Sequence, residues 1–77
     1  MVTLEQIQKN LAEAIRTSNI TQSELARRLN ISQSNISHYI KGNKMPSLDT
    51  LANICKIIDV SPAYILCYED ESGSKIN

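Results

Sequence analysis

Seventy-seven residues make one domain, and a chain this short buries a modest share of the surface its unfolded form exposes, so stability must lean on good capping and a tight core. Trp and Phe are absent and no β-branched run alternates with polar residues, which argues against a sheet. Eight basic and eight acidic side chains cancel, no apolar run approaches the length of a membrane span, and no basic-then-apolar signal region follows Met1; the expectation is a soluble cytoplasmic protein.

Helix starts are legible along the chain. Thr3-Leu4-Glu5-Gln6 is a capping box, in which the Thr3 hydroxyl accepts from the backbone three residues on and Gln6 reaches back. Leu4, Ile7, Leu11, Ala14 and Ile15 then mark one helical face. Thr21-Gln22-Ser23-Glu24 is a second capping box, opening a helix that buries Leu25, Ala26 and Leu29 and ends at Asn30, a residue tolerant of the left-handed region. Ser32 caps a third helix with Ile36, Tyr39 and Ile40 inward, and Gly42 stops it. After a polar loop from Lys41 to Met45, Ser47 caps a fourth helix with Asp49 in its first turn; Leu48, Leu51, Ala52, Cys55 and Ile58 form its apolar face. Ser61-Pro62 precedes a short fifth helix, Ala63 to about Tyr68. Residues 1–68 are thus read as one all-α domain and 69–77 as an acidic tail with nothing to bury, expected to be disordered.

Net neutrality hides an uneven distribution. Between Arg16 and Lys44 the basic residues Arg16, Arg27, Arg28, Lys41 and Lys44 face only Glu24, whereas beyond Ser61 the acids Glu69, Asp70 and Glu71 face only Lys75. Cys55 and Cys67, with one His, are too few for a disulfide framework or a zinc site; Cys55 falls on an apolar face as a buried thiol, and no metal or cofactor is implied. Enzymatic chemistry has no foothold. Ser37 and His38 are adjacent rather than facing, no acid is spaced to orient the histidine, and no glycine-rich phosphate loop exists.

The second and third helices are joined by only Asn30, Ile31 and Ser32, too short a link for side-by-side antiparallel packing, so they must cross steeply as a helix-turn-helix. Small Ala26 lets the next helix approach, Ile31 fills the corner, and Ile36 plugs the space between the two. With Gln22, Gly42, Lys44, Pro46, Ser47, Leu48, Leu51 and Val60-Ser61, these residues resemble the pattern of the Cro and phage-repressor-like (XRE) family of helix-turn-helix DNA-binding proteins, from about Leu11 to Leu66.

That resemblance implies a five-helix, lambda-repressor-like domain whose third helix enters the major groove of double-stranded DNA, usually as a homodimer on a palindromic operator. By position, Gln22 resembles the family's phosphate-contacting glutamine; Gln33, Ser34, Asn35 and His38 fall where base-reading or groove-lining side chains are placed; Asn43 and Lys44 fall in the backbone-touching loop. The chemistry agrees, since Gln and Asn can contact adenine in bidentate fashion and Ser and His donate or accept at several base edges. Lys41 and Lys44, and less directly Arg27 or Arg28, are suited to phosphates. Ser37, on the outward side of the same helix, joins these DNA-binding candidates, although Ser34, Ser37 and His38 are also readable as plain surface residues. Tyr64, Ile65, Leu66 and Tyr68 are candidates for a dimer contact, although Ile65 and Leu66 also suit the core.

Many family members pair an Arg in the first helix with a Glu before the loop; Ile15 and Ile40 occupy those positions here, implying an apolar contact in place of the ion pair. The functional expectation is a transcriptional repressor. The alternative is an antitoxin or protein-interaction module that uses the same helix-turn-helix within a complex, with a protein partner.

Overall fold

The computed structural model describes residues 1–69. Five helices follow in order: α1 (Leu4–Thr17), α2 (Gln22–Leu29), α3 (Gln33–Lys41), α4 (Leu48–Ile58) and α5 (Pro62–Ile65). Among the described residues none is long and apolar enough to cross a membrane. Residues 70–77, most of the tail, lie outside the described ones. Glu69 is tied back to the fold, its carboxylate accepting from Ser61 Oγ at 2.8 Å.

Local chemistry accounts for most boundaries. The capping box at α1 closes on both sides: Thr3 Oγ1 accepts from the Gln6 N–H at 3.2 Å, and Gln6 Oε1 accepts from the Thr3 N–H at 2.9 Å. At α2 only half of the expected box forms. Thr21 Oγ1 accepts from the Glu24 N–H at 3.1 Å, but the Glu24 carboxylate turns instead to Arg27 and Arg28 one turn ahead. Charge-assisted bonds to two guanidiniums outcompete one neutral bond back to the cap.

Three helices end in the same way. Asn30, Gly42 and Asp59 all take the left-handed conformation, with φ of 57°, 81° and 57°, and the next N–H reaches back five residues: Ile31 to Ala26 O, Asn43 to His38 O and Val60 to Cys55 O, at 3.0–3.1 Å. This closure satisfies carbonyls that a helix end would otherwise leave bare.

The core is one cluster containing Leu11, Ile15, Leu25, Ala26, Ile36, Tyr39, Leu51, Ile54, Cys55 and Ile65, with Ile31, Ile40, Ile58 and Leu66 packed against it. Two of the expected faces are trimmed by the packing. Leu4 is 71% exposed and lies beyond the core at the start of α1. On α4 the buried stripe is Leu51, Ile54 and Cys55, while Leu48 is 83% exposed and Ala52 is also exposed. The apolar residues of α4 span more than one face, and the helix turns Ile54 inward because α2 and α5 flank it there.

Ser47 precedes α4 as expected but makes no side-chain cap bond; its hydroxyl donates to Asp49 Oδ1 at 2.6 Å. That bond, followed by the Thr50 and Asp49 N–H groups, holds the Asp49 carboxyl below its ordinary range. The fifth helix is shorter than expected, Pro62–Ile65, with Ser61 Oγ accepting from the Ala63 N–H at 3.2 Å; Leu66 leaves helical geometry and Cys67 has φ 68°. Both thiols are free, and burial pushes that of Cys55 up.

Helix α1 ties the bundle together through two amides that sequence periodicity does not single out. Gln8 Nε2 donates to Tyr39 O at 3.2 Å and Ile40 O at 3.5 Å, at the end of α3. Asn10 Nδ2 donates to Tyr64 O at 3.3 Å and Ile65 O at 3.4 Å, at the end of α5.

Gly42 sits under the first of these clamps, and a Cβ added there would lie 3.0 Å from the Gln8 amide. Gly42→Ala is therefore expected to lower stability by about 1–2 kcal/mol through the left-handed backbone alone, with the clamp disturbed in addition; a denaturant midpoint measures it. Ile15 is fully buried and Ile40 packs against the same cluster. Ile15→Arg is expected to cost about 3–5 kcal/mol as an unpaired buried charge. The double variant with Ile40→Glu should recover part of that loss, and strict additivity in the cycle would show that the two positions do not meet.

Candidate nucleic-acid interface

The outer face of α2 and α3 is assembled from their first turns. Gln22 is the first residue of α2, exposed beside the N–H groups that Thr21 does not fully occupy. Gln33 and Ser34 open α3 and are likewise exposed. Ser34 Oγ lies 3.0 Å from the cap Ser32 Oγ, so one hydroxyl donates to the other and the two form one small polar group. One turn on, His38 and then Lys41 continue the exposed side, while Ile36 and Tyr39 on the opposite side are buried.

Two of the sequence-derived candidates are less open. Asn35 and Ser37 are half-buried, because α3 leans its flanks onto the body as well as its apolar stripe. Tyr39 is a core residue at 5% exposure, as its spacing implies.

The loop after α3 returns over the helix. Gly42 reverses the chain, the Asn43 N–H donates to His38 O at 3.0 Å, and the Lys44 ammonium donates to Asn35 Oδ1 at 3.1 Å. The loop backbone is thereby fastened to the end of α3, and the Asn35 and Lys44 side chains meet on one flank of the helix, with Gln33 on the other. Sequence reasoning placed Lys44 on the loop and Asn35 on the helix but had no signal that they bond. Gln8 was missed altogether; it touches none of these side chains and holds the far end of α3 in place.

The electrostatics of this face differ from a count of basic residues. Glu24 accepts from both Arg27 and Arg28, pairing with the first through two nitrogens and with the second through Nε at 2.8 Å. Those two bonds, Arg27 first, lower its carboxyl from 4.5 to about 2, so it stays ionised in acid that protonates an ordinary Glu. The same pairing raises the Arg27 guanidinium. At the end of α2 the cluster carries one net positive charge rather than two, which leaves Lys41 and Lys44 as the cations beside α3.

Comparison with known proteins places this arrangement. Residues 11–65 match the helix-turn-helix family HTH_3. The HTH-type transcriptional regulator ImmR of Bacillus subtilis (strain 168) is 36% identical over 64 residues, covering 83% of this chain and 50% of that protein. An uncharacterized HTH-type transcriptional regulator, YqaE, of the same organism is 34% identical over 68 residues, covering 88% of this chain and 57% of that protein. The chain thus spans about half the length of the curated relatives it matches. The solution structure of the SOS-response transcriptional repressor LexA from Eubacterium rectale superposes with a TM-score of 0.70 at 20% identity, over 100% of this chain and 82% of that one, a likeness of fold. With the family match running through both helices of the motif and the caps that orient them, the chain belongs to the Cro and phage-repressor-like (XRE) helix-turn-helix family.

Proposed function

We propose that the chain is a sequence-specific DNA-binding transcriptional regulator, a repressor that occupies a palindromic operator as a dimer. The observation that carries this reading is the two-sidedness of α3: Ile36 and Tyr39 are buried, while Gln33, Ser34 and His38 face solvent. Short polar groups at a helix N-terminus suit base edges, and the first residues of a recognition helix go deepest into the major groove. Gln22 and the free N–H groups of α2 supply a phosphate contact. Exposed Lys41 and Asn43 are suited to the DNA backbone passing beside α3. Family membership and the regulator names of the Bacillus relatives support the same conclusion.

The size of the domain supports the dimer in this reading. The domain measures 36 × 22 × 20 Å and carries one such helix, whereas successive major-groove faces lie roughly 34 Å apart along one side of the duplex. Two half-sites therefore take two copies. Of the four residues considered for the contact, Ile65 is fully buried and belongs to the core, and Leu66 packs against it. Tyr68, 68% exposed, is the apolar side chain left for a second copy to cover, with half-buried Tyr64 beside it.

Selection from random duplexes, followed by titration at two salt concentrations, tests the function. Specific binding whose affinity falls steeply with salt is expected; no binding by the isolated chain overturns the reading and favours a helix-turn-helix that acts within a protein complex. Gln33→Ala should cost about 1–3 kcal/mol and relax preference at one base pair, and Lys41→Ala should weaken all sequences alike, lowering the salt slope by about one. Tyr68→Ser should shift sedimentation from dimer to monomer at micromolar concentration; an unchanged dimer places the contact elsewhere.

A further inference from the structure

Asn35 and Lys44 are nine residues apart and meet because the chain doubles back at Gly42. Asn35 is held from below: its N–H accepts no freedom, donating to Ser32 O at 3.1 Å and to Ser32 Oγ at 3.4 Å. Its side chain is held from above, where the Lys44 ammonium donates to Oδ1 at 3.1 Å. Lys44 is in turn carried by a loop whose Asn43 N–H is bonded to His38 O, one helical turn after Asn35. Backbone hydrogen bonds thus hold the main chain at Asn35 and next to Lys44, within reach of each other.

This pairing changes what Asn35 can read. A free asparagine amide offers one acceptor and one donor edge, the pattern that matches adenine, whose N6 donates and N7 accepts. Here the acceptor edge faces a cation. What the pair offers a ligand is chiefly the Nδ2 group and the ammonium protons not given to Oδ1, a set dominated by donors, since the second Oδ1 lone pair lies beside the cation. Guanine is the base that meets such a set in the major groove, because its O6 and N7 both accept, and a charged donor strengthens the bonds to them.

We propose that Asn35 and Lys44 act as one donor-dominated unit that reads a guanine in each half-site, with Lys44 setting the base preference of Asn35 rather than serving as a phosphate contact. This rests on the DNA-binding reading above, and the experiment separates the two. Lys44→Met keeps the length of the side chain and removes its protons, at an exposed position where folding is not at risk. In the free protein the Asn35 side-chain amide resonances should shift in this variant; unchanged resonances overturn the pairing before any DNA is added. Duplex selection with the wild-type chain should return guanine at one position of each half-site, and with Lys44→Met the preference there should move toward adenine, the guanine-to-adenine affinity ratio falling by about tenfold. Asn35→Ala should erase preference at that same base pair. Uniform weakening by Lys44→Met with the selected base unchanged overturns the proposal while leaving the DNA-binding function standing. Absence of any selected sequence for the wild-type chain overturns both.

Discussion

The orientation of α3 depends on the turn at Asn30. With φ 57° the chain reverses within one residue, and the bonds from Ile31 to Ala26 O and from Asn30 to Arg27 O, at 3.1 and 3.2 Å, close the turn on itself. Because the turn satisfies its own backbone groups it needs no water inside the corner. Small, buried Ala26 and half-buried Ile31 can then sit beneath it, and Ile36 enters the core without residual exposure. A bulky residue at Ala26, or an obligate negative φ at Asn30, would move Ile36 out of register and carry the whole outer face with it.

What the residues disclosed in advance was the local part. Thr3, Ser32, Asn30 and Gly42 act within a few residues of themselves, through hydrogen bonds and a backbone region set by their own chemistry, and the structure realises each. Decisions made across the chain were not legible. Leu48 and Ile54 are comparably apolar, and only the placement of α2 and α5 against α4 determines that Ile54 is buried and Leu48 is not. Ser47 had the right position for a cap, yet the neighbouring Asp49 carboxylate is the stronger acceptor and takes the Thr50 N–H, while the Ser47 hydroxyl donates to Asp49 as well. Gln8 and Asn10 bond to carbonyls 31 to 55 residues away, and a carbonyl carries no signature in sequence. The outer face divides in the same way: its residue types could be read from the family pattern, whereas the bond between Asn35 and Lys44 depends on the path of a loop.

The charge is balanced over the whole sequence and partly cancelled locally. A net charge of zero supplies little long-range attraction toward a polyanion, and Glu24 removes much of what Arg27 and Arg28 would add. Non-specific binding is built mainly from phosphate neutralisation. In the proposed function, a domain with few free cations near α3 would rely more on groups that distinguish one base from another, which suits the uncharged polar side chains of Gln33 and Ser34.

The same division of labour explains how α3 tolerates its composition. Ser, Asn, His, Tyr and Ile each disfavour helix by up to about 0.7 kcal/mol relative to Ala, and nine residues are too few for a stable isolated helix in water. Burial of Ile36 and Tyr39, at about 1.5–3 kcal/mol per large apolar side chain, is of the same size as that sum. The Ser32 cap adds roughly 1 kcal/mol, and the closed turn at Gly42 and the Gln8 clamp secure the other end. Everything that keeps α3 helical thus lies on its inner side or at its two ends. Its outer positions carry almost none of the stability, and that freedom is what allows them to be occupied by side chains chosen for what they touch.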